Sequence, residues 1–268
     1  MRTNPRQEIE KMIEENNIRG LFEKASEFHG HYCHKVAYGV KASLLALKEL
    51  EIKSLKEEGG KIVAITDSPG PFCNGIQVVL GLSLGHSDFV IRDMGKLVLT
   101  LLKYDGSAVK VTLRPEFLDE FSRRNPEISP IFRDSYATIS VPEDKSTPLT
   151  ITQLKELMTE MVSANNSDEM EQMMVFHSAM IMKELDIPDE EMFIVEKKRL
   201  EFSKYAPVCQ CTYPIIICES CGDVVFKPYI KIKNKKNLCI ECAAEGYNML
   251  AKGKIINIKP PRLKLKLK

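Results

Sequence analysis

Residues 61–85, KIVAITDSPGPFCNGIQVVLGLSLG, decide the fold class. Their first third is a short apolar run of the kind that forms a buried strand. After the Asp-Ser-Pro-Gly break, NGIQVVLGLSLG has apolar residues at helical spacing and a glycine stop. Working outward towards the C-terminus, FVIRD (89–93), KLVLTLLKYD (96–105) and SAVKVTLR (107–114) read as successive strands, the last two joined by a tight turn at Asp105 and Gly106. Towards the N-terminus lies an acidic amphipathic helical stretch over 6–27, then a helix that begins at Cys33 and carries Val36, Val40, Leu44 and Leu47 on one face. MFIVEKKRLEF (192–202) returns to strand character. The pattern is α+β: mixed helices and antiparallel strands.

The chain has 268 residues, enough for one sizeable core and a smaller appendage. Lys and Arg total 38 against 37 Asp and Glu, so no overall field selects nucleic acid or an anionic membrane. No run has the roughly 18 consecutive apolar residues of a membrane span, and the first residues lack the apolar centre of a signal peptide. The expectation is a cytoplasmic protein without membrane contact. In a reducing compartment its eight cysteines point to metal ligation or thiolate chemistry rather than disulfides.

Six of those cysteines fall between Cys209 and Cys242. Cys218 and Cys221 form CESC, Cys239 and Cys242 form CIEC, and the spacing between the pairs matches a four-cysteine zinc site. Gly222 can supply the unusual backbone angles of the first turn. AAEGYNMLAK, after the second pair, reads as a short helix, which would make a treble-clef or ribbon-like module. Four thiolates saturate tetrahedral zinc, so this zinc is structural. Cys209 and Cys211 stand outside the quartet and read as spare thiols, with a second metal contact as the alternative. The basic runs KPYIKIKNKK and KIINIKPPRLKLKLK read as solvated surface, with nucleic acid or an acidic partner as the alternative.

A second cluster, FHGHYCHK (28–35), packs His29, His31, Cys33 and His34 together. In extended chain, side chains alternate with period two, so His29, His31 and Cys33 would share one face while His34 points elsewhere or begins the helix. Imidazole and a thiolate at a helix N-terminus suit a transition metal, and His29, His31 and Cys33 are also the candidate catalytic groups. Asn74 and Cys73 should approach them from the loop between the central strand and its helix. Met170, Met174, His177 and Ile181 recur at helical spacing and read as core packing.

FHGHYCHKVAYGVKA resembles the FHGHxCPGxAxGxxA signature of the FmdE family, proteins associated with molybdenum or tungsten formylmethanofuran dehydrogenase operons. NGIQVVLGLSLGHSDFVIRDMGKLVLTLLKYDGSAVKV, IPDEEMFIVE, CESCGDVVF and NLCIECA are similar to further stretches of that family, with Gly81, Gly85, Gly95 and Lys96 at its glycine and GK positions. His34 and Lys35 replace the signature's Pro-Gly, and Asn74 replaces an Asp. The resemblance implies an FmdE-like α+β core over 1–204, with about 120–184 an insertion, a treble-clef zinc finger over 205–252 and a basic tail over 253–268. It further implies a homodimer, a small-molecule ligand handled by the His/Cys cluster with Asn74, Cys73 and Lys96 beside it, and a role around one-carbon, molybdenum or tungsten metabolism and methanogenesis. A zinc-finger regulator or adaptor that binds nucleic acid or a protein is the alternative.

Overall fold

A computed structural model describes residues 4–55, 58, 60–117, 178, 180–208, 212–251 and 253–259. Met170, Met174 and His177 of the methionine stripe, Cys209 and Cys211, nearly all of the insertion, and the last residues of the basic tail lie outside them, while Ile181 of that stripe is buried in the core. Helices α1 (Gln7–Glu14), α2 (Ile18–His29), α3 (His34–Glu49) and α4 (Pro71–Leu80) precede or flank the strands β1 (Ile62–Thr66), β2 (Phe89–Ile91), β3 (Val98–Lys103) and β4 (Ser107–Leu113). A short helix α5 (Asp189–Met192) then leads into β5 (Phe193–Arg199). The single helical stretch expected over 6–27 is two helices, because Asn16 takes a left-handed φ of 50° and Asn17 caps α2 by accepting from the Gly20 N–H at 2.9 Å.

The five strands form one sheet in the order β2-β1-β3-β4-β5. All neighbours are antiparallel except β1 and β2, which run parallel, with Ala64 opposite Phe89. Parallel pairing is what allows α4 to cross between them, as a hairpin could not. Period two divides each strand between two cores. Ile62 and Ala64 of β1, Leu99 and Leu101 of β3 and Val109 and Val111 of β4 face α2, α3 and α4. Val63, Ile65, Leu102 and Ala108 face the other way, where Leu200, Phe202 and Tyr205 cover them. That double burial explains why β1 is uniformly apolar rather than alternating.

Helices α3 and α4 touch backbone to backbone. A Cβ on Gly39 would lie 2.2 Å from the Phe72 carbonyl oxygen, and one on Gly75 would lie 2.3 Å from that of Val36. Only glycine admits this approach, and it draws together the first turns of both helices. At the other end of α4, Arg6 donates to the carbonyls of Val78 and Val79 at 2.9 and 2.7 Å, closing the helix C-terminus. Burial there lowers the Arg6 pKa from its ordinary value, against the pull of Glu10.

The C-terminal module is made of strands. Antiparallel pairs β6 (Ile215–Ile217) with β7 (Val224–Phe226) and β8 (Lys231–Lys233) with β9 (Lys236–Leu238) carry the cysteines, and β10 (Tyr247–Ala251) with β11 (Lys254–Ile258) follows. The stretch expected to be helical after Cys242 is therefore strand β10. Ala244 ends the turn in a left-handed conformation (φ 52°), and the β-branched KIINI sequence gives β10 a partner that a helix would have left unpaired. Residues 254–258, expected to begin a basic tail, are in this hairpin, and the Ile255 N–H donates to Asp93 of the core at 2.8 Å. Gly39→Ala should destabilise the core by about 2–3 kcal/mol, the range for overpacking a site that cannot give way. Urea unfolding of the two proteins measures this.

Candidate metal centre and ligand site

His29 is the last residue of α2, not part of an extended run. Gly30 follows with φ 92° and reverses the chain, and Cys33 is extended (φ −147°, ψ 131°) at the N-cap of α3. A left-handed turn thus brings together what strand alternation was expected to align. The ligand atoms of His29, His31 and Cys33 lie within 4.8 Å of one another, and the two imidazole rings are 4.4 Å apart at their centroids. His31 is exposed and Cys33 half-buried, so one side of the cluster is open to solvent.

Asn74, in the first turns of α4, meets His29: its Oδ1 stands 2.9 Å from His29 Nδ1. With an oxygen facing it, Nδ1 carries the proton and donates, which leaves the lone pair on Nε2. That Nε2 is buried and makes no hydrogen bond among the described residues. An imidazole nitrogen so presented fits a metal ligand oriented by an outer partner, because a buried acceptor without a donor is otherwise costly. Two imidazoles and a thiolate make a borderline-soft donor set of the type zinc and other transition metals take.

Cys73 and Lys96, the other residues expected near the cluster, make local bonds of their own. The Cys73 thiol, in the first turn of α4, donates back to the Ser68 carbonyl at 2.9 Å, and burial pushes its pKa up, so it remains a protonated thiol. Lys96 is exposed, and it is its backbone N–H that acts, donating to the Asp67 carbonyl at 3.1 Å. Asp67 organises the loop between β1 and α4. Its carbonyl also accepts from Met94, and its carboxylate accepts from Arg92 at 2.6 Å.

Sequence reading missed a buried network beside Cys33. His34, the first residue of α3, is 4% exposed, and its Nδ1 lies 2.5 Å from Oε2 of Glu184, which is 2% exposed. Tyr38 donates to the other carboxylate oxygen at 3.0 Å. Nearby, Lys41 reaches the carbonyls of Leu185 and Ile187 at 3.0 and 2.7 Å and Asp189 at 3.2 Å. Removing one partner of such a buried group costs about 1–3 kcal/mol, so the network fixes the start of α3 firmly. The available signal was a histidine where the FmdE signature has proline.

The four sulfurs of Cys218, Cys221, Cys239 and Cys242 also lie within 4.8 Å of one another. Cys221 and Cys239 are 3.9 Å apart, close to the roughly 3.8 Å that a tetrahedron with 2.3 Å metal–sulfur bonds requires. Gly222 supplies the expected left-handed turn (φ 81°). Backbone N–H groups of Cys221, Cys239 and Ser220 pull the Cys218 thiol down to about 6. For Cys221 the backbone N–H of Asp223 favours the thiolate, but the Asp223 carboxylate and Cys218 outweigh it and push the pKa up. One thiolate is thus ready at neutral pH, while a metal must displace the proton of Cys221, so binding here strengthens as pH rises. This is a structural metal site compatible with zinc.

An α+β core with a His-His-Cys cluster among its helix ends, joined to a four-cysteine module, defines the class of protein. The sequence model of FmdE, described as molybdenum formylmethanofuran dehydrogenase operon, matches residues 28–194, more than half of the chain. The chain belongs to the FmdE family. A protein of Archaeoglobus fulgidus named probable S-adenosyl-L-methionine-binding protein is 25% identical over 249 residues, covering 91% of this chain and 58% of that relative. The chain therefore spans less than two thirds of the relative's length. The crystal structure of an FmdE-like protein from Syntrophus aciditrophicus, of the tungsten formylmethanofuran dehydrogenase type, shares the fold, with a TM-score of 0.50 at 16% identity over 84% of this chain and 91% of that one.

Cys239→Ala should remove about one equivalent of metal per chain and unfold the C-terminal module while sparing the core, since small metal modules take much of their folding free energy from the ion. Metal analysis together with hydrogen exchange of β6 to β9 reads both effects. Unchanged metal content would contradict the site.

Proposed function

We propose that this protein binds a transition metal through His29, His31 and Cys33 and uses that centre to bind or act on a small molecule in one-carbon, molybdenum or tungsten metabolism. The observation that carries the reading is the buried Nε2 of His29, presented towards its neighbours by the Asn74 bond and without a hydrogen-bond partner among the described residues. A bound metal would supply Lewis acidity at a position that three protein ligands leave open. The chain's own residues do the rest. Asn74 fixes the tautomer of His29, the His34–Glu184 network holds the backbone that carries Cys33, and exposed His31 leaves the solvent side of the centre open to a small molecule.

Family membership supports the metabolic setting, and the name of the Archaeoglobus relative supports S-adenosyl-L-methionine as a first small molecule to try. The four-cysteine module is a separate structural zinc site in this reading, and the protein works in the cytoplasm as a homodimer. Ile215, Ile217, Val224 and Phe226 form one solvent-facing side of the β6–β7 pair, an apolar surface that supports self-association. Sedimentation at micromolar concentration should give twice the chain mass, and a monomer throughout would contradict this part of the proposal.

Cys33→Ser should lower metal affinity at the N-terminal cluster by more than about tenfold, the minimum seen even when an outer-shell partner is lost. The thermal transition and the metal of the four-cysteine module should stay unchanged. Equal metal stoichiometry in wild type and variant would defeat the proposal.

A further inference from the structure

His29 donates its Nδ1–H to Asn74 Oδ1 at 2.9 Å, so the group behind this ligand, on the side of the ring away from Nε2, is a neutral amide. A carboxylate in that place raises the basicity of the ligating nitrogen and tightens the metal, and an uncharged amide does so less. Among the described residues no Asp or Glu joins His29, His31 and Cys33. His31 is exposed, and three protein ligands leave a tetrahedral ion one position at which a competing ligand enters. In the C-terminal module four thiolates fill the tetrahedron, so a competing ligand has to displace one of them first.

Two charges act on the centre from the head of α3 with opposite sign. The positive end of that 16-residue helix, whose N-cap is Cys33, repels a cation, and the buried carboxylate of Glu184, held by His34 and Tyr38, attracts one. Both stay the same when residue 74 alone is replaced, so substitution there reads the effect of the amide by itself. Asn74 is half-buried, which lets water solvate a charge put in its place.

We infer, on the metal reading given above, that Asn74 keeps the metal of the N-terminal centre exchangeable, so that this centre fills and empties with the metal supply while the four-cysteine module stays loaded. Asn74 acts through His29 and is a positioning residue. Its amide does two things: it holds the imidazole in the ligating tautomer, which makes the site, and it withholds the negative charge that would make the metal hard to remove. Exchange is a ligand replacement. Donor atoms of the acceptor enter at the open position, the three protein ligands leave in turn with their lone pairs, and nothing is oxidised or reduced. Binding of a small molecule at the centre is then switched by the metal supply.

The test uses the full chain loaded with zinc and titrated with the chromophoric chelator pyridylazoresorcinol. Cys33→Ser and Cys239→Ala assign each released equivalent to its site. Wild type should give up the N-terminal zinc at a chelator concentration at least about tenfold below that needed for the four-cysteine zinc. Asn74→Asp should hold the N-terminal zinc at least about tenfold more tightly, and Asn74→Ala at least about tenfold more weakly, the lower end of the range for a change in an outer partner. A merely structural Asn74 would make both variants weaker. Both zinc ions leaving together in wild type, or Asn74→Asp binding no tighter than wild type, overturns the inference and leaves the metal reading standing. Zinc release that Cys33→Ser does not alter overturns both.

Discussion

The contact between the backbones of α3 and α4 at Gly39 and Gly75 sets the geometry on which the candidate site depends. Side chains of ordinary size would hold two packed helices about 8–10 Å apart. Glycine at both crossing points lets a carbonyl approach where a Cβ would otherwise stand. Because the contact falls within two turns of each helix start, it brings Cys33 at the head of α3 close to Asn74 near the head of α4. The end of α2 then completes the group with His29. The site is thus built from the starts of two helices and the end of a third, on one face of a sheet whose strand β1 is buried on both sides.

Rigidity around the cluster is uneven in a way that suits a binding centre. Behind Cys33 lie His34, Tyr38 and Glu184, all buried and joined by hydrogen bonds, and in the loop between β1 and α4 Asp67 gathers Arg92, Met94 and Lys96. In front, His31 is exposed and His29 Nε2 has no hydrogen-bond partner among the described residues. A buried lone pair beside a second imidazole and a thiolate makes a donor set that fits a transition metal. The four-cysteine module differs: its sulfurs already surround a common centre, and no side is left for a substrate.

Much of the fold was legible because it follows local periodicity. The apolar run of β1, the glycine stop of α4 and the Asp105-Gly106 turn each have one physical reading. The ligand types of both cysteine-containing sites could also be read from spacing and chemistry. What stayed hidden depends on distant partners. The His34–Glu184 bond joins residues 150 positions apart, and the parallel pairing of β1 with β2 leaves no trace in either strand alone. The strand β10 was misread as a helix because AAEGYNMLAK has an ambiguous pattern, and its pairing with KIINI decides the matter. His29, His31 and Cys33 converge, but by the left-handed turn at Gly30 and not by the alternation of an extended chain.

The central claim is that His29, His31 and Cys33 hold a metal. Anomalous diffraction at the metal absorption edge, on crystals of the metal-loaded protein, tests it most directly. The account predicts a peak within about 2.0–2.3 Å of His29 Nε2, a His31 ring nitrogen and Cys33 Sγ, separate from the peak in the four-cysteine module. A map with density only in that module, and a water donating to His29 Nε2, would contradict it.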